Sequence, residues 1–382
     1  MAGASAAVPA PERATAPSGL GPSMAHLVAA GILLSRLAGL LRESLFAYFL
    51  GDSAAADAFK AGFRIPNILQ NLFGEGVLSA SFIPVYSKLL SEGDEETANL
   101  LAWGVGVILG LVVAIMVVAG VLAAPFLIEI IAPGFHGEKR ELTIALVRIL
   151  FPGAGLLVMS AWCLGVLNSH HRFFASYAAP VAWNAAIIAA LLLYGPWRPQ
   201  TRLVVDIAWG AVIGAAAQIL VQLPSTLKLV RRFKVDFERT RDALRQVFKN
   251  LTPVVAGRGV GQISGYADNL LASLLPTGAV AALNYAQILY MLPVSLFGWS
   301  IAAAELPTMS RASGTPAEIA HILRIRLNAG LRQISFLVVP SAAAFLFLGD
   351  VIAGLIFEWG HFSHADAIYV WAVLTGTAVG LL

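Results

Sequence analysis

The stretch MAHLVAAGILLSRLAGLLRESLFAYFL (Met24–Leu50) decides the fold class. Crossing a bilayer takes about 20 mostly apolar residues, and this run is long enough, yet it carries Arg36, Arg42 and Glu43. A charge at a helix centre costs about 2.5–3.5 kcal/mol on insertion scales, and each large apolar residue returns about 0.3–0.6 kcal/mol. The three charges nearly cancel the gain. Arg36 stands roughly 15 Å from either end at about 1.5 Å per residue, too deep for easy snorkelling. Such a helix must face protein or water on its charged side, so it belongs to a bundle.

The rest of the chain agrees. Its 382 residues are 58% hydrophobic and 12% charged, with a mean hydropathy of +0.78. A soluble domain averages about 25% charged, so half the usual charge is missing. That excludes disorder, a coiled coil and a nucleic-acid-binding domain. The single cysteine, Cys163, excludes a disulfide framework or a cysteine metal cluster. Met1–Ser23 is rich in Ala, Pro and Ser and lacks the basic-then-apolar order of a signal peptide. It reads as a flexible tail.

Apolar runs punctuated by Gly, Pro and charge clusters give ten spanning candidates. They are Met24–Leu50, Asp57–Leu90, Leu100–Ile131, Leu142–Leu167, Phe174–Tyr194, Leu203–Leu229, Leu251–Leu275, Val280–Ser310, one within Ile319–Phe357, and Ala365–Leu382. The last is still apolar at Leu382, as though cut inside a helix. With a cytoplasmic N-terminus, fourteen Lys and Arg fall in inner loops, including the run from Lys228 to Lys249, against Lys139, Arg140, Arg198 and Arg202 outside. Phe237–Lys249 reads as a short amphipathic connector on the inner surface. Most tryptophans, Trp162 and Trp183 among them, read as interface anchors.

A hairpin pattern recurs. LFAYFLGDSAAADAFKAGFRIP (Leu45–Pro66), continuing to FIPVYSK (Phe82–Lys88), parallels LLASLLPTGAVAALNYAQILYMLP (Leu270–Pro293), continuing to ELPTMSR (Glu305–Arg311). Six helices separate the copies, as in transporters whose halves are related by an axis along the membrane normal.

The second candidate carries Asp57, Lys60, Arg64, Asn71 and Glu75. At 100° per residue these fall within about 60° of one another, a single polar stripe that Pro66 interrupts. Arg258, Asp268 and Glu305 are the ionisable residues expected to be buried in the second half. Two readings compete. The charges pair internally, since Arg36, Arg42, Lys60, Arg64 and Arg258 are balanced by Glu43, Asp57, Glu75, Asp268 and Glu305. Alternatively, they line a cavity whose guanidinium groups grip an anion, for which bidentate arginine suits phosphate oxygens. There is no Walker-type glycine loop, no His-Glu-x-x-His and no hydrolase triad spacing, so no enzyme is expected. His170 and His171 read as a solvated turn, and His361, His364 and Asp366 as an outer loop.

SRLAGLLRES (Ser35–Ser44), DAFKAGFRIPN (Asp57–Asn67), FGEGVLSASFIPVYS (Phe73–Ser87) and APGF (Ala132–Phe135) together resemble the MurJ/MviN family, the lipid II flippases of peptidoglycan synthesis. The resemblance is strong through the fourth helix and diffuse afterwards, with QLP (Gln222–Pro224) and QIS (Gln262–Ser264) also similar. It implies an all-α polytopic protein of the multidrug/oligosaccharidyl-lipid/polysaccharide exporter superfamily, with a complete six-helix N-lobe and an incomplete C-lobe. The expected division is a tail at 1–23, an N-lobe at 24–230, a connector at 231–250 and a partial C-lobe at 251–382. It implies alternating access that moves undecaprenyl-diphosphate-linked disaccharide pentapeptide from the inner to the outer leaflet of the bacterial inner membrane. Lipid II and membrane lipids are the expected partners, other cell-wall synthesis proteins further ones, and nucleic acid none. No cofactor is expected, with sodium or the membrane potential as the drive.

Residue by residue, Arg36 and Arg42 match helix 1 arginines associated with the diphosphate and sugar region. Asp57 and Glu75 match acids of helix 2, and Arg64 a basic position there. Lys60 and Asn71 join them on the stripe. This chain departs from the family where many members carry two basic residues, here Gln70 and Asn71, and at a helix 8 arginine, here near Ile288. Arg258 is expected to replace that charge in part, and Asp268 is the candidate sodium ligand. Export of another polyprenyl-linked glycan or small molecule on the same fold, and a non-transporting scaffold, are the alternative readings.

Overall fold

The computed structural model describes residues 22–230, 233–298, 301, 305, 309 and 313–380. The first expected spanning segment is α1 (Pro22–Leu50). The second is broken into α2 (Ala54–Arg64), α3 (Asn67–Phe73) and α4 (Glu75–Ser91). Long helices follow: α5 (Glu95–Ile131), α6 (Gly137–Ser169), α7 (Phe173–Tyr194), α8 (Gln200–Leu229) and α9 (Arg241–Ser273). Then come α10 (Ala279–Pro293), which runs into a π-helical turn at Val294–Gly298, α11 (Pro316–Phe357) and α12 (His364–Val379). Among the described residues this gives ten helical passages, matching the ten expected. Six are long and apolar enough to cross a membrane by length and composition alone.

The solvent-side pattern is that of a membrane protein. On α5, Leu111, Ile115, Val118, Leu122 and Phe126 form one helical stripe, and all are exposed. A water-facing helix would carry charge there. The opposite face of α5 buries Leu101, Val105, Leu109 and Val113. Small residues let helices approach where packing alone holds them. Gly106 lies against the Trp162 ring, and Gly210 and Gly214 of α8 lie against α7. Trp162 is buried, with Nε1 donating to the Ala102 carbonyl at 3.0 Å. The reading of Trp162 as an interface anchor is therefore corrected: a helix-end position in sequence does not fix which way the ring faces.

Helices α1 to α8 pack mainly on one another, while α9 lies along α4 and α10 packs on α12 and α2. The connector expected at Phe237–Lys249 takes another form. From Arg241 onward it is the first turns of α9, because nothing between Arg241 and Lys249 breaks a helix. Arg231 and Arg232 of the expected connector lie outside the described residues, as do residues 1–21 of the tail and most of Glu305–Arg311.

The recurring hairpins have the same build. Gly51 and Gly278 sit at the turns with φ of +55° and +100°, a region that costs most residues a Cβ clash. Fifteen residues later in each copy stand Pro66 and Pro293, where α2 and α10 end. Proline lacks the N–H that would continue the ladder. The same turns approach closely: a Cβ on Gly278 would lie 2.7 Å from the Asp52 carbonyl oxygen.

Candidate functional site

The expected stripe divides among different partners, first within α2 itself, while the breaks at Pro66 and Gly74 put Asn71 on α3 and Glu75 on α4. Asp57 is turned to the end of the bundle that carries Gly51. Its carboxylate accepts from Lys139 Nζ at 2.6 Å and from the backbone N–H groups of Gly278 and Ala281 at 2.7 and 2.8 Å. It thereby satisfies the unpaired N–H groups that open α10 and complements that helix's positive end. Around it the Gly51 end is sealed. His361 N donates to the Tyr48 carbonyl, Tyr285 Oη donates to the Gly51 carbonyl, and Tyr285 packs on Phe357 and Phe362. Asp57, expected in a binding stripe, is 1% exposed and lines neither of the two spaces that the other stripe residues wall.

Asp52, in the turn between α1 and α2, has both carboxylate oxygens buried with no hydrogen-bond partner among the described residues. Burial, with the Asp366 and Asp57 charges nearby, pushes its carboxyl up to about 8 from an ordinary 3.8. The folded chain thus holds the proton more tightly than the unfolded one. The associated stability is full below about pH 3.8 and is lost as pH rises through about 8. Thermal unfolding followed from pH 4 to 9 should show this fall, and Asp52→Asn should flatten it and melt higher at pH 8. An unchanged slope in the variant would assign the pH dependence to other groups.

One helical turn inward from Asp57, Lys60 meets α1. Its Nζ donates to the Glu43 carboxylate and lies 4.2 Å from the centre of the Phe46 ring. Glu43 also accepts from Arg42 Nη2 at 2.6 Å. A buried carboxylate held by two cations keeps its hydration replaced, which lets α1 carry charge at depth. Arg42 is fixed further by α7: Nη1 donates to Asn184 Oδ1 at 3.1 Å, and its guanidinium lies 4.8 Å from the Trp183 ring centre. Arg64 donates to Gln287 Oε1 at 3.5 Å and lies over Gly265, where a Cβ would clash.

These residues wall a cavity of about 480 Å³, with Arg42, Glu43, Lys60, Arg64 and Asn71 facing Gln262 and Gln287. A wider cleft of about 800 Å³ between α1 and α10 shares Arg42, Glu43, Asn284, Gln287, Ile288 and Met291 with it and adds Arg36. The repeat register explains the asymmetry. Lys60 and Arg64 correspond, at a constant offset, to Gln287 and Met291, so one hairpin brings charge and the other neutral side chains. Among the described residues, four cations and one acid line the two spaces. The zero charge sum of the sequence is redistributed, because Asp57 is spent at the seal.

The remaining expected residues lie elsewhere. Arg258 is exposed on α9, its guanidinium against Gly76 of α4, and it is on neither wall. It therefore does not stand beside Ile288, whereas Lys60 shares a wall with it. Asp268 is exposed too, within electrostatic reach of Arg64. The expectation that Arg258 and Asp268 are buried is thus corrected: among the described residues both are exposed, Arg258 at the edge of the contact between α9 and α4. Glu75 opens α4, and its side chain lies outside the described residues. Asn71 Nδ2 donates to Gln262 Oε1 at 2.9 Å.

Sequence reasoning missed Lys139, Trp183, Asn184, Gln262, Asn284 and Gln287. Asn184 in one apolar run, and Asn284 with Gln287 in another, were the available signal. Trp183, expected as an interface anchor, instead packs at a tilt against Phe63 and donates from Nε1 to the Ala211 carbonyl. Asp366 caps α12 through Ser363, and His364 meets Glu358 at 3.0 Å.

Comparison with known proteins adds to this geometry. A family model described as lipid II flippase MurJ matches residues 46–382. The lipid II flippase MurJ of Burkholderia cenocepacia is 31% identical over 356 residues, covering 92% of this chain and 68% of that protein. A probable lipid II flippase MurJ of Rhizobium meliloti is 32% identical over 365 residues, covering 93% and 66%. The chain spans about two thirds of the length of these curated relatives. A solved lipid II flippase MurJ in an inward closed conformation superposes with a TM-score of 0.77 at 25% identity, covering 93% of this chain and 72% of that one. An inward-facing multidrug resistance MATE family transporter of the MOP superfamily, at 16% identity and a TM-score of 0.72, covers 94% and 82% and shares the fold.

Proposed function

The chain belongs to the MurJ family of lipid II flippases, and we propose that it moves an undecaprenyl-diphosphate-linked peptidoglycan precursor from the inner to the outer leaflet. The observation that carries this is the excess of four cations over one acid around the joined spaces between α1, α2 and α10. A diphosphate offers several anionic oxygens, which guanidinium groups bind in a bidentate manner. The low local dielectric makes each contact stronger than in water.

The lipid head enters through the cleft between α1 and α10, meeting Arg36 first, while its isoprenoid tail stays in the bilayer. Arg42, Lys60 and Arg64 then replace its hydration. The Gly51 end, which we take as the outer one with the N-terminus cytoplasmic, is closed by Asp57 and the Tyr285–Phe357–Phe362 cluster during loading. Rocking of α9–α12 against α1–α8, with flexure at Pro66 and Pro293, releases that seal and presents the head outside. Sodium through Asp268, or the membrane potential at about 2.3 kcal/mol per charge per 100 mV, drives the return. A carrier of cationic drugs would need the opposite cavity charge.

The test is complementation of a strain depleted of its native flippase, using the complete gene. The wild-type gene should restore growth, and Arg36→Ala combined with Arg42→Ala should not, at equal protein level. Growth supported by the double variant would leave a scaffold role and remove the transport reading.

A further inference from the structure

We infer that Trp183 and Asn184 of α7 are positioning residues for the Arg42 guanidinium, and that they set where the cavity holds the anionic group of its ligand. This rests on the reading of the cavity as an anion site and adds to it an element, α7, whose sequence shows no charge in this region.

The geometry leaves little freedom. Asn184 is 5% exposed, and its Nδ2 donates to the Pro180 carbonyl at 3.1 Å. That bond fixes the amide, so Oδ1 must point away from its own helix, and it accepts from Arg42 Nη1 at 3.1 Å. An asparagine that merely satisfied its own backbone would need only the first of these bonds. Trp183, the preceding residue, is turned about 100° around the helix and places its ring 4.8 Å from Arg42 Cζ. Its Nε1 is tied to the Ala211 carbonyl at 3.1 Å. Gly214 lets α8 approach so closely that a Cβ there would lie 2.9 Å from the Trp183 carbonyl oxygen. The ring is therefore backed by a second helix.

Arg42 is held in three directions. Trp183 covers a face of the guanidinium, Asn184 takes Nη1 and Glu43 takes Nη2. Two of its five N–H donors are used by the protein. The side chain is one-fifth exposed, towards both the closed cavity and the α1–α10 cleft. A guanidinium pinned in this way gives up little rotamer freedom when an anion arrives, which is the condition for tight recognition. Among the described residues Arg64 is held less firmly, resting on Gly265 and one longer bond to Gln287. Arg42 is thus a preorganised cation, and α7 contributes to that preorganisation.

The experiment is a double-mutant cycle read by binding of undecaprenyl diphosphate to the intact chain in detergent micelles. Asn184→Ala should weaken binding about tenfold when Arg42 is present and have little further effect in an Arg42→Ala background. Trp183→Leu should behave likewise, and Trp183→Phe, which keeps an aromatic face, should recover part of the lost affinity. Melting curves of each variant accompany the titrations, so that a variant that fails to fold is replaced in the cycle by the other position. If Asn184→Ala and Trp183→Leu weaken binding equally with and without Arg42, they act on the fold at large and the inference is overturned. If Arg42→Ala itself leaves binding intact, the anion-site reading fails and takes this one with it.

Discussion

Lys60→Met is expected to cost the protein stability and anion affinity together, and the reason is the burial of its partner. Lys60 and Glu43 have side chains 9% and 11% exposed, and the carboxylate is shared with Arg42. Methionine keeps the length and the packing against Phe46 and Tyr285 but removes the charge. Breaking a buried pair by deleting one partner typically costs about 3–5 kcal/mol. Arg42 remains at 2.6 Å from Glu43, so the lower end of that range is expected. Adding Glu43→Gln to Lys60→Met should recover part of the stability, since the buried carboxylate is gone and the glutamine amide oxygen can still accept from Arg42, which keeps its bond to Asn184. Binding of undecaprenyl diphosphate to the single variant should fall by about tenfold, because one of three inner cations is lost while the acid stays. A Lys60→Met protein that melts and binds like the wild type would show that this pair holds neither the fold nor the ligand.

Asp57→Asn should open the sealed end. Asparagine retains one acceptor for the start of α10, but it leaves Lys139, itself only 17% exposed, without its counter-charge. It also removes the anion from a helix N-terminus, worth up to about 2 kcal/mol in partly buried sites. A bias of about 3 kcal/mol against the sealed state corresponds to about a hundredfold change in its population ratio. A cysteine placed at Phe362, which is 2% exposed, reports this directly in a Cys163→Ser background. A membrane-impermeant maleimide should leave it unlabelled when Asp57 is present and label it readily in Asp57→Asn. Lys139→Met combined with Asp57→Asn should label as readily but melt higher than Asp57→Asn alone, since the orphaned ammonium is gone. Equal protection in both backgrounds would mean that the aromatic cluster seals this end without the carboxylate.

Much of the site was legible before any coordinates. The stripe spacing on the second segment brought Lys60 and Arg64 together with Arg42 on the neighbouring helix, and both cations do wall one cavity with it. The repeat was legible through its glycine and proline spacing, and the turns at Gly51 and Gly278 share the same left-handed backbone. The stripe failed at its first residue: Asp57 shares the unbroken α2 with Lys60 and Arg64 yet meets Lys139 and the start of α10, because a helical projection does not say what each turn of a face packs against. Arg258 was misplaced for a related reason, because periodicity assigns a residue to a face of α9 without saying what that face meets.

By itself, the amino-acid sequence determined that this chain lives in a bilayer, how many times its helices pass, and that guanidinium groups lie too deep for lipid. Those conclusions depend on local quantities, namely transfer free energy per residue and the period of a helix. Only the tertiary structure decided which acid neutralises which cation. Lys60 finds Glu43 17 positions away and Asp57 finds Lys139 82 positions away, and Coulomb energy depends on separation in space, which no charge count contains. The cationic lining of the cavity follows from that partition, with one acid committed to the seal and four cations and one acid left around the two spaces.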